Sequence, residues 1–306
     1  MIEPLAFAKY QAAGNDFIIV EDQGDERPIS AGDARSLCDR WFGVGADGVI
    51  RVTRGEDDAV AMQLTNADGS EAEISGNGMR CLGAYLHDHG GLDGETTEVA
   101  TPAGNRRVSL EMIDGVVQGA TVSMGVPAFA RSAIPMRGPA WETFLEQPFD
   151  IGDERVFSAS AVSMGNPHLV LFSQEDPEGL FLERVGPGLE NHELFPERTN
   201  VEFARVGAND TIDVRVWERG VGETLSCGTG ACAVAVAANE AGMTPASVSV
   251  RFRGGTLSVQ RLQDGVVLLG GPVAHVFDGR IDLAEPETKP EARPETRPET
   301  RPGLRA

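Results

Sequence analysis

The sequence predicts an α/β fold of the α+β type, in which the chain carries the same arrangement twice. Three observations lead there. Strand-like segments are many and short, whereas helix-like segments are few. One local pattern, a small nucleophilic side chain followed by Gly-X-Gly and an apolar run, occurs at Ser75-Gly76-Asn77-Gly78 and again at Cys227-Gly228-Thr229-Gly230. Both runs that follow are apolar almost all round, which marks a helix enclosed by a sheet instead of one lying on a surface.

Taken in order, Phe17–Val20, Gly48–Val52, Val60–Leu64 and the pair Val116–Val117 with Ala120–Val122 read as strands bounded by Gly, Asp and Asn. The second half repeats the style at His168–Phe172, Val201–Ala204, Ile212–Trp217, Ser247–Val250 and Val266–Leu269. Helices are expected at Ala31–Cys38, at Asn77–His87 after the first turn and at Gly230–Ala241 after the second. The expected division is residues 1–120 plus about 273–284 in one lobe, with the last strand returning to the first half, and residues 121–272 in the other. From Glu285 the chain repeats Pro-Glu-Thr-Lys/Arg, where proline forbids a regular helix, so residues 285–306 read as an extended, disordered tail.

The 306 residues suit two domains, and 41% hydrophobic residues can bury a core. No apolar run approaches the roughly 18 residues needed to span a membrane, and Met1–Tyr10, with Glu3 and Lys9, lacks the apolar centre of a signal peptide. A cytoplasmic location follows, with Cys38, Cys81, Cys227 and Cys232 as free thiols. The step from Cys227 to Cys232 is no usual ligand spacing, so no metal is expected. The net charge is −21, and the tail from Glu285 carries five acidic and five basic residues, so the excess lies before it. Only Lys9 and Lys289 are lysines. An acidic, lysine-poor surface argues against nucleic acid or anionic membrane as partner and suits adaptation to high salt.

The doubled turn is where the chemistry gathers. Backbone N–H groups at a Gly-X-Gly turn, backed by the positive end of a helix, bind a carboxylate. Two such turns imply two half-sites facing one small anion. Cys227, at a helix start and followed by glycine, is the candidate nucleophile or base, because backbone amides there stabilise a thiolate and lower its pKa; Cys81 and Cys232 read as inert buried thiols. Asn15, Asn66, Asn166 and Asn200 each stand at a strand end or turn. Together with Glu218 and Arg219 they make a polar cage for a zwitterion. Arg219 is suited to clamp a carboxylate, and Glu218 with the asparagine carbonyls to accept from an ammonium.

Six motifs in order resemble the diaminopimelate epimerase family over nearly all of residues 5–280: Gly14-Asn15-Asp16-Phe17, Gly43–Gly48, Asn66–Glu71 with Gly76–Arg80, Gly165-Asn166-Pro167-His168, Arg198-Thr199-Asn200 and Glu218–Gly230. The resemblance implies two pseudo-symmetric lobes, each a curved, mostly antiparallel sheet around a central apolar helix, with the site in the cleft between. It implies interconversion of LL- and meso-diaminopimelate by two-base proton transfer at the α-carbon, with no cofactor, in a homodimer. By the same resemblance, two cysteines exchange the proton; Gly76, Asn77, Gly228 and Thr229 grip the reacting carboxylate; His168 and Glu218 tune the bases; and Asn15, Asn66, Asn166, Asn200 and Arg219 hold the substrate.

One position departs from the pattern. Ser75 stands where the family carries its first catalytic cysteine, and a hydroxyl is a much weaker acid than a thiol. Cys81 lies six residues on, about 9 Å along a helix and roughly 120° away from the same face. Three readings follow: an epimerase in which Ser75 is the second proton carrier, directly or through His168 or a water; a related one-base isomerase or dehydratase using Cys227; and a diamino-acid-binding paralogue without turnover.

Overall fold

The computed structural model describes residues 4–55, 59–72, 74–92, 94–151 and 156–283. The tail expected at 285–306 lies outside the described residues.

Among the described residues, eighteen strands and four α-helices follow one another in two matching series. The first comprises β1 (Leu5–Ala12), β2 (Asn15–Glu21), α1 (Ala31–Cys38), β3 (Gly48–Arg54), β4 (Val60–Asn66), β5 (Glu71–Ala72), α2 (Gly76–Asp88), β6 (Thr96–Ala100), β7 (Arg106–Ile113) and β8 (Val116–Gly125). After β9 (Gln147–Asp150) the second repeats it: β10 (Val156–Ser163), β11 (Pro167–Phe172), α3 (Leu182–Glu190), β12 (Asn200–Val206), β13 (Thr211–Glu218), β14 (Gly222–Thr224), α4 (Gly228–Glu240), β15 (Ser247–Phe252), β16 (Gly255–Arg261) and β17 (Val267–Pro272). The last described strand is β18 (Ala274–Ile281), which pairs back onto β1.

The pairing pattern is the same in both series. β1–β2 is antiparallel, β2–β3 parallel, β3–β4 antiparallel, β4–β6 parallel, and β6–β7 and β7–β8 antiparallel. The strands β10–β11, β11–β12, β12–β13, β13–β15, β15–β16 and β16–β17 repeat that order. The antiparallel ladder β8–β17 joins the two, with Leu269 opposite Val122. Residue equivalences follow from register: Gly48 pairs with Phe17 as Asn200 pairs with His168, which makes Phe17 the counterpart of His168 and Ile50 that of Glu202. Likewise Asn66 closes β4 as Glu218 closes β13, and each precedes its helix cap, Ser75 or Cys227, by nine residues.

The helices form for different reasons. The N-cap Ser30 of α1 and Asp33 satisfy each other's backbone N–H groups in a capping box. The helices α2 and α4 open on Gly-X-Gly, a costly start for a helix, and are held by burial instead. Every residue from Gly76 to Leu86 and from Gly228 to Ala238 is buried, in one core that includes Val108, Leu110 and Val122 around α2 and Val214, Val250 and Val259 around α4. A Cβ at Gly83 would stand 2.6 Å from Val108 Cγ1, which shows how closely α2 lies on β7. The expected helix at Ala31–Cys38 is found residue for residue, and the two central helices begin a residue or two earlier than expected. Unexpected from sequence is α3, whose interior Pro187 and two glycines hide its helical period.

Candidate active site

Ser75 and Cys227 are the N-caps of α2 and α4, with nearly the same backbone: φ −137°, ψ 115° for Ser75 and φ −132°, ψ 119° for Cys227. Each side chain accepts the N–H three residues on, Gly78 N to Ser75 Oγ at 3.0 Å and Gly230 N to Cys227 Sγ at 3.4 Å. The two helix starts meet: a Cβ at Gly228 would come within 3.3 Å of both Asn77 N and Gly76 Cα. Their unpaired N–H groups and aligned helix dipoles therefore converge on one place, a setting for a carboxylate.

The surroundings of the two caps differ sharply. Around Cys227, which is 5% exposed, stand Thr229, whose Oγ1 is 3.5 Å from Sγ, and the carboxylates Glu218 and Glu202. Burial pushes the thiol well above its ordinary range and the two carboxylates push it further, while Thr229 and the Gly230 N–H offset only part. The thiolate-stabilising effect expected from the helix start is present but outweighed, because the same enclosure that aims the amides removes water from the sulfur. Burial also raises Glu218, against the pull of hydrogen bonds from Thr224 and Cys227. Thr224 Oγ1 donates to Glu218 Oε1.

His168 is fully buried on β11. Its Nδ1 lies 2.7 Å from Glu202 Oε1 and its Nε2 lies 2.9 Å from Asn166 Oδ1. Asn166 in turn reaches Thr229 Oγ1 at 3.4 Å, so a hydrogen-bonded file runs from Glu202 through His168, Asn166 and Thr229 to Cys227. All of it belongs to the second half.

At Ser75 the equivalent places hold Asn66, Phe17 and Ile50, and the hydroxyl is half-buried against Met62, Leu64, Ile74 and Met79. A Cβ at Gly78 would meet Met62 and Ile50, whereas one at Gly230 would stand 2.7 Å from Glu202 Oε1. Among the described residues, the first half-site thus holds an amide and apolar side chains where the second carries three titratable ones.

Most of the remaining polar residues lie at the ends of helices and strands. Asn77 Nδ2 donates to Asn15 Oδ1 at 3.1 Å and to Ser226 Oγ at 3.2 Å. Asn15 Nδ2 donates to Asp47 at 2.7 Å, and Arg40 clamps Asp47 and Asp16 together. Asn66 donates to Ser70. Asn200 Nδ2 donates to Pro167 O at 2.9 Å and its Oδ1 accepts from the Arg219 backbone N–H at 2.9 Å, which ties the Gly165–His168 turn to the Glu218–Gly220 turn. The Arg219 guanidinium, half-exposed, donates to Glu197 O at 3.3 Å.

Sequence reading missed Glu202, Ser226 and Thr224. Glu202 had a signal: in the strand Asn200-Val201-Glu202-Phe203 the alternation places it on the same face as Asn200, and a carboxylate inside an apolar strand calls for a partner. Thr224, at the end of the short strand β14, and Ser226, in the loop before α4, carried none, since both are small polar residues with no pattern around them.

The chain matches the family model described as Diaminopimelate epimerase over residues 7–130 and 160–276. It is 46% identical over 283 residues to the diaminopimelate epimerase of Synechococcus sp. (strain JA-3-3Ab), covering 90% of this chain and 97% of that protein. It is 42% identical over 279 residues to that of Moorella thermoacetica, covering 90% and 99%. Among solved structures, the fold is similar to a hydroxyproline epimerase from Agrobacterium vitis with bound trans-4-hydroxy-L-proline (TM-score 0.66, 14% identity, 91% of each chain). It is also similar to a predicted epimerase from Pseudomonas aeruginosa (TM-score 0.64, 16% identity, 92% of this chain and 100% of that one). The chain belongs to the diaminopimelate epimerase family.

Proposed function

We propose that the protein interconverts LL- and meso-diaminopimelate by moving a proton at one α-carbon between Cys227 and Ser75. The observation that carries the reading is the pair of helix caps of like conformation on helix starts that meet. A carboxylate held on the converging N–H groups of Gly76, Asn77, Gly228 and Thr229 presents its α-carbon between the two side chains. The same N–H groups stabilise the charge that moves onto the carboxylate as the α-proton leaves.

The two faces divide the work. Cys227 and Glu218 share a hydrogen bond, and both are held toward their protonated forms, so the pair must release one of its two protons before it acts as a base, and the proton that remains is shared between them. When the Cys227 proton rests on Glu218, the thiolate removes the α-proton; when it rests on sulfur, the thiol returns one. On the other face the Ser75 hydroxyl gives its proton to carbon and regains one from water, which the half-exposed position admits; in the reverse direction its oxygen, having lost a proton to water, removes the α-proton while the Cys227 thiol gives its own. The proton collected at Cys227 leaves through Glu218, which closes the balance. Glu202 and His168 hold Asn166 and Thr229 about the sulfur. Asn15, Asn66, Asn200 and Arg219 are proposed to hold the far amino and carboxylate ends.

The test is deuterium incorporation from D2O at the α-positions of LL- and meso-diaminopimelate. Epimerisation requires exchange and interconversion of both isomers. Exchange from a single isomer with little inversion would leave a one-base isomerase, and tight binding without exchange a paralogue that only holds the ligand.

We further propose a cytoplasmic homodimer. No helix among the described residues is long and apolar enough to cross a membrane, and Val276 and Phe277 lie exposed on β18, whose second edge pairs with no described strand. Light scattering at the mass of a monomer, at assay concentrations, would refute the dimer.

A further inference from the structure

The guanidinium of Arg80 is buried and makes no ion pair among the described residues, where Glu111 acts on it only at a distance. Arg80 is 0% exposed and among the largest fully buried side chains. Its Nη2 donates to Asn77 Oδ1 at 2.7 Å, its Nη1 reaches Gly76 O at 3.4 Å, and its Nε is buried without a partner. Burial lowers its pKa to about 10, so it remains a cation at neutral pH. A buried cation with no carboxylate in contact among the described residues is a cost that a methionine or leucine of similar size would avoid.

The internal repeat sharpens the oddity. Counting from the caps, Arg80 on α2 corresponds to Cys232 on α4, a small apolar thiol. The guanidinium passes from α2 toward the other half, where a Cβ at Gly271 on β17 would stand 3.4 Å from its Cζ. A Cβ there would only touch the guanidinium; the atom it would meet too closely is Leu257 Cδ2, at 2.6 Å. What the guanidinium holds is the Asn77 side chain. With Oδ1 fixed on Arg80, Nδ2 must point the other way, to Asn15 of the first half and to Ser226 of the second, and Ser226 Oγ donates onward to Ala13 O at 2.9 Å. Ser226 immediately precedes Cys227. One amide therefore ties the α2 start to the residue before the α4 cap, and Arg80 sets which way that amide faces.

We infer that Arg80 is a positioning residue for the epimerase: by orienting the Asn77 amide between Asn15 and Ser226 it holds the two helix starts, and so the two proton carriers, in register across one carboxylate. The inference rests on the proposed function for its substrate, but the geometry it describes exists without one.

A double-mutant cycle tests it. Arg80→Lys keeps a cation but replaces a two-armed fork with one ammonium, which cannot reach both Gly76 O and Asn77 Oδ1. Asn77→Ala removes the amide. If Arg80 acts through Asn77, Arg80→Lys lowers kcat at least tenfold with KM for diaminopimelate changed less than threefold. The double variant then loses no more than the worse single one. Multiplicative losses, or a folded Arg80→Lys protein with kcat within twofold of the parent, would overturn the inference. Stability is followed in parallel by circular dichroism, since a merely structural arginine would lower the melting temperature and leave kcat per folded molecule alone. The same cycle is read without substrate on the rate at which iodoacetamide alkylates Cys227, measured on its tryptic peptide. Arg80→Lys and Asn77→Ala are expected to change that rate alike and non-additively. A parent that fails to turn over diaminopimelate would refute the proposed function, whereas additive alkylation changes in the same protein would refute the role of Arg80.

Discussion

At the scale of single residues, the two caps are alike in backbone and unlike in everything that touches their side chains. Ser75 has one hydrogen-bond donor, Gly78 N, and mostly apolar neighbours, so beyond that N–H and the α2 start no side chain in the described half-site lowers the cost of an alkoxide. Restoring the thiol addresses that directly. Ser75→Cys is expected to raise kcat by about tenfold or more, within the range of general acid–base effects, whereas Cys227→Ser removes the group that all the surrounding polarity serves and should lower kcat at least 10³-fold. A Ser75→Cys enzyme no faster than its parent would mean that the first half-site has been rebuilt around the hydroxyl. The electrostatics of Cys227 give a second measurement. A thiol whose pKa is raised stays protonated to higher pH, and only the thiolate reacts with iodoacetamide, so alkylation of the free enzyme should be slow at neutral pH and climb as pH rises. Glu202 contributes to that elevation. Removing its charge in Glu202→Gln should start the climb at lower pH, and a climb at the same or higher pH would contradict the assignment.

At the scale of elements, the Gly-X-Gly turns are where local preference and function conflict. Glycine in a first turn weakens a helix, yet any side chain here would separate the helix starts. A Cβ at Gly76 would lie 2.4 Å from Leu269 Cδ2, and one at Gly228 would press on Leu269 at 3.0 Å and on the Asn77 backbone. Gly228→Ala should therefore cost about 1–3 kcal/mol in stability and raise KM for diaminopimelate, which urea unfolding and steady-state kinetics can read separately. A KM equal to the parent's would mean that the α4 start does not bind the carboxylate. The doubled turn was legible in the sequence because small residues before an unbroken apolar run have few structural uses. The strands that were legible, such as Gly48–Val52 and Ile212–Trp217, are those rich in β-branched and aromatic residues; β7 and β16, with fewer of them and polar residues on an exposed face, were not. Glu202 and Arg80 could be placed only by the fold. Their importance lies in what the register and the α2–α4 meeting set beside them, and neither is a local property of the chain.

At the scale of the whole molecule, the repeat explains why one cleft can hold two half-sites. The β8–β17 ladder is antiparallel and joins corresponding strands of the two series, and it is there that we propose the lobes divide, with residues 1–120 and 273–284 in one and 121–272 in the other. A molecule of net charge −21 with two lysines pushes against itself everywhere, but its ion pairs are short-range. Arg51 and Asp22 are both buried and 2.5 Å apart, Arg40 is 2.8 Å from Asp16 and from Asp47, and Arg253 is 2.9 Å from Glu223. Salt acts differently on the two kinds of interaction. Raising ionic strength from 0.1 M to 1 M shortens the screening length from about 10 Å to about 3 Å. That removes repulsion between acidic groups spread over the surface while leaving contacts under 3 Å, and buried ones most of all, largely intact. Screening thus relieves more repulsion than it costs in attraction, and the folded state, where the charges are closest, gains relative to the unfolded chain. The melting temperature should rise as NaCl is increased from 0.1 M to molar concentration. Sodium chloride suits the test because sulfate would stabilise any protein by exclusion from its surface. A transition that stays flat or falls over that range would show that the surplus acid is already balanced by its pairing, and that the composition is no adaptation to salt.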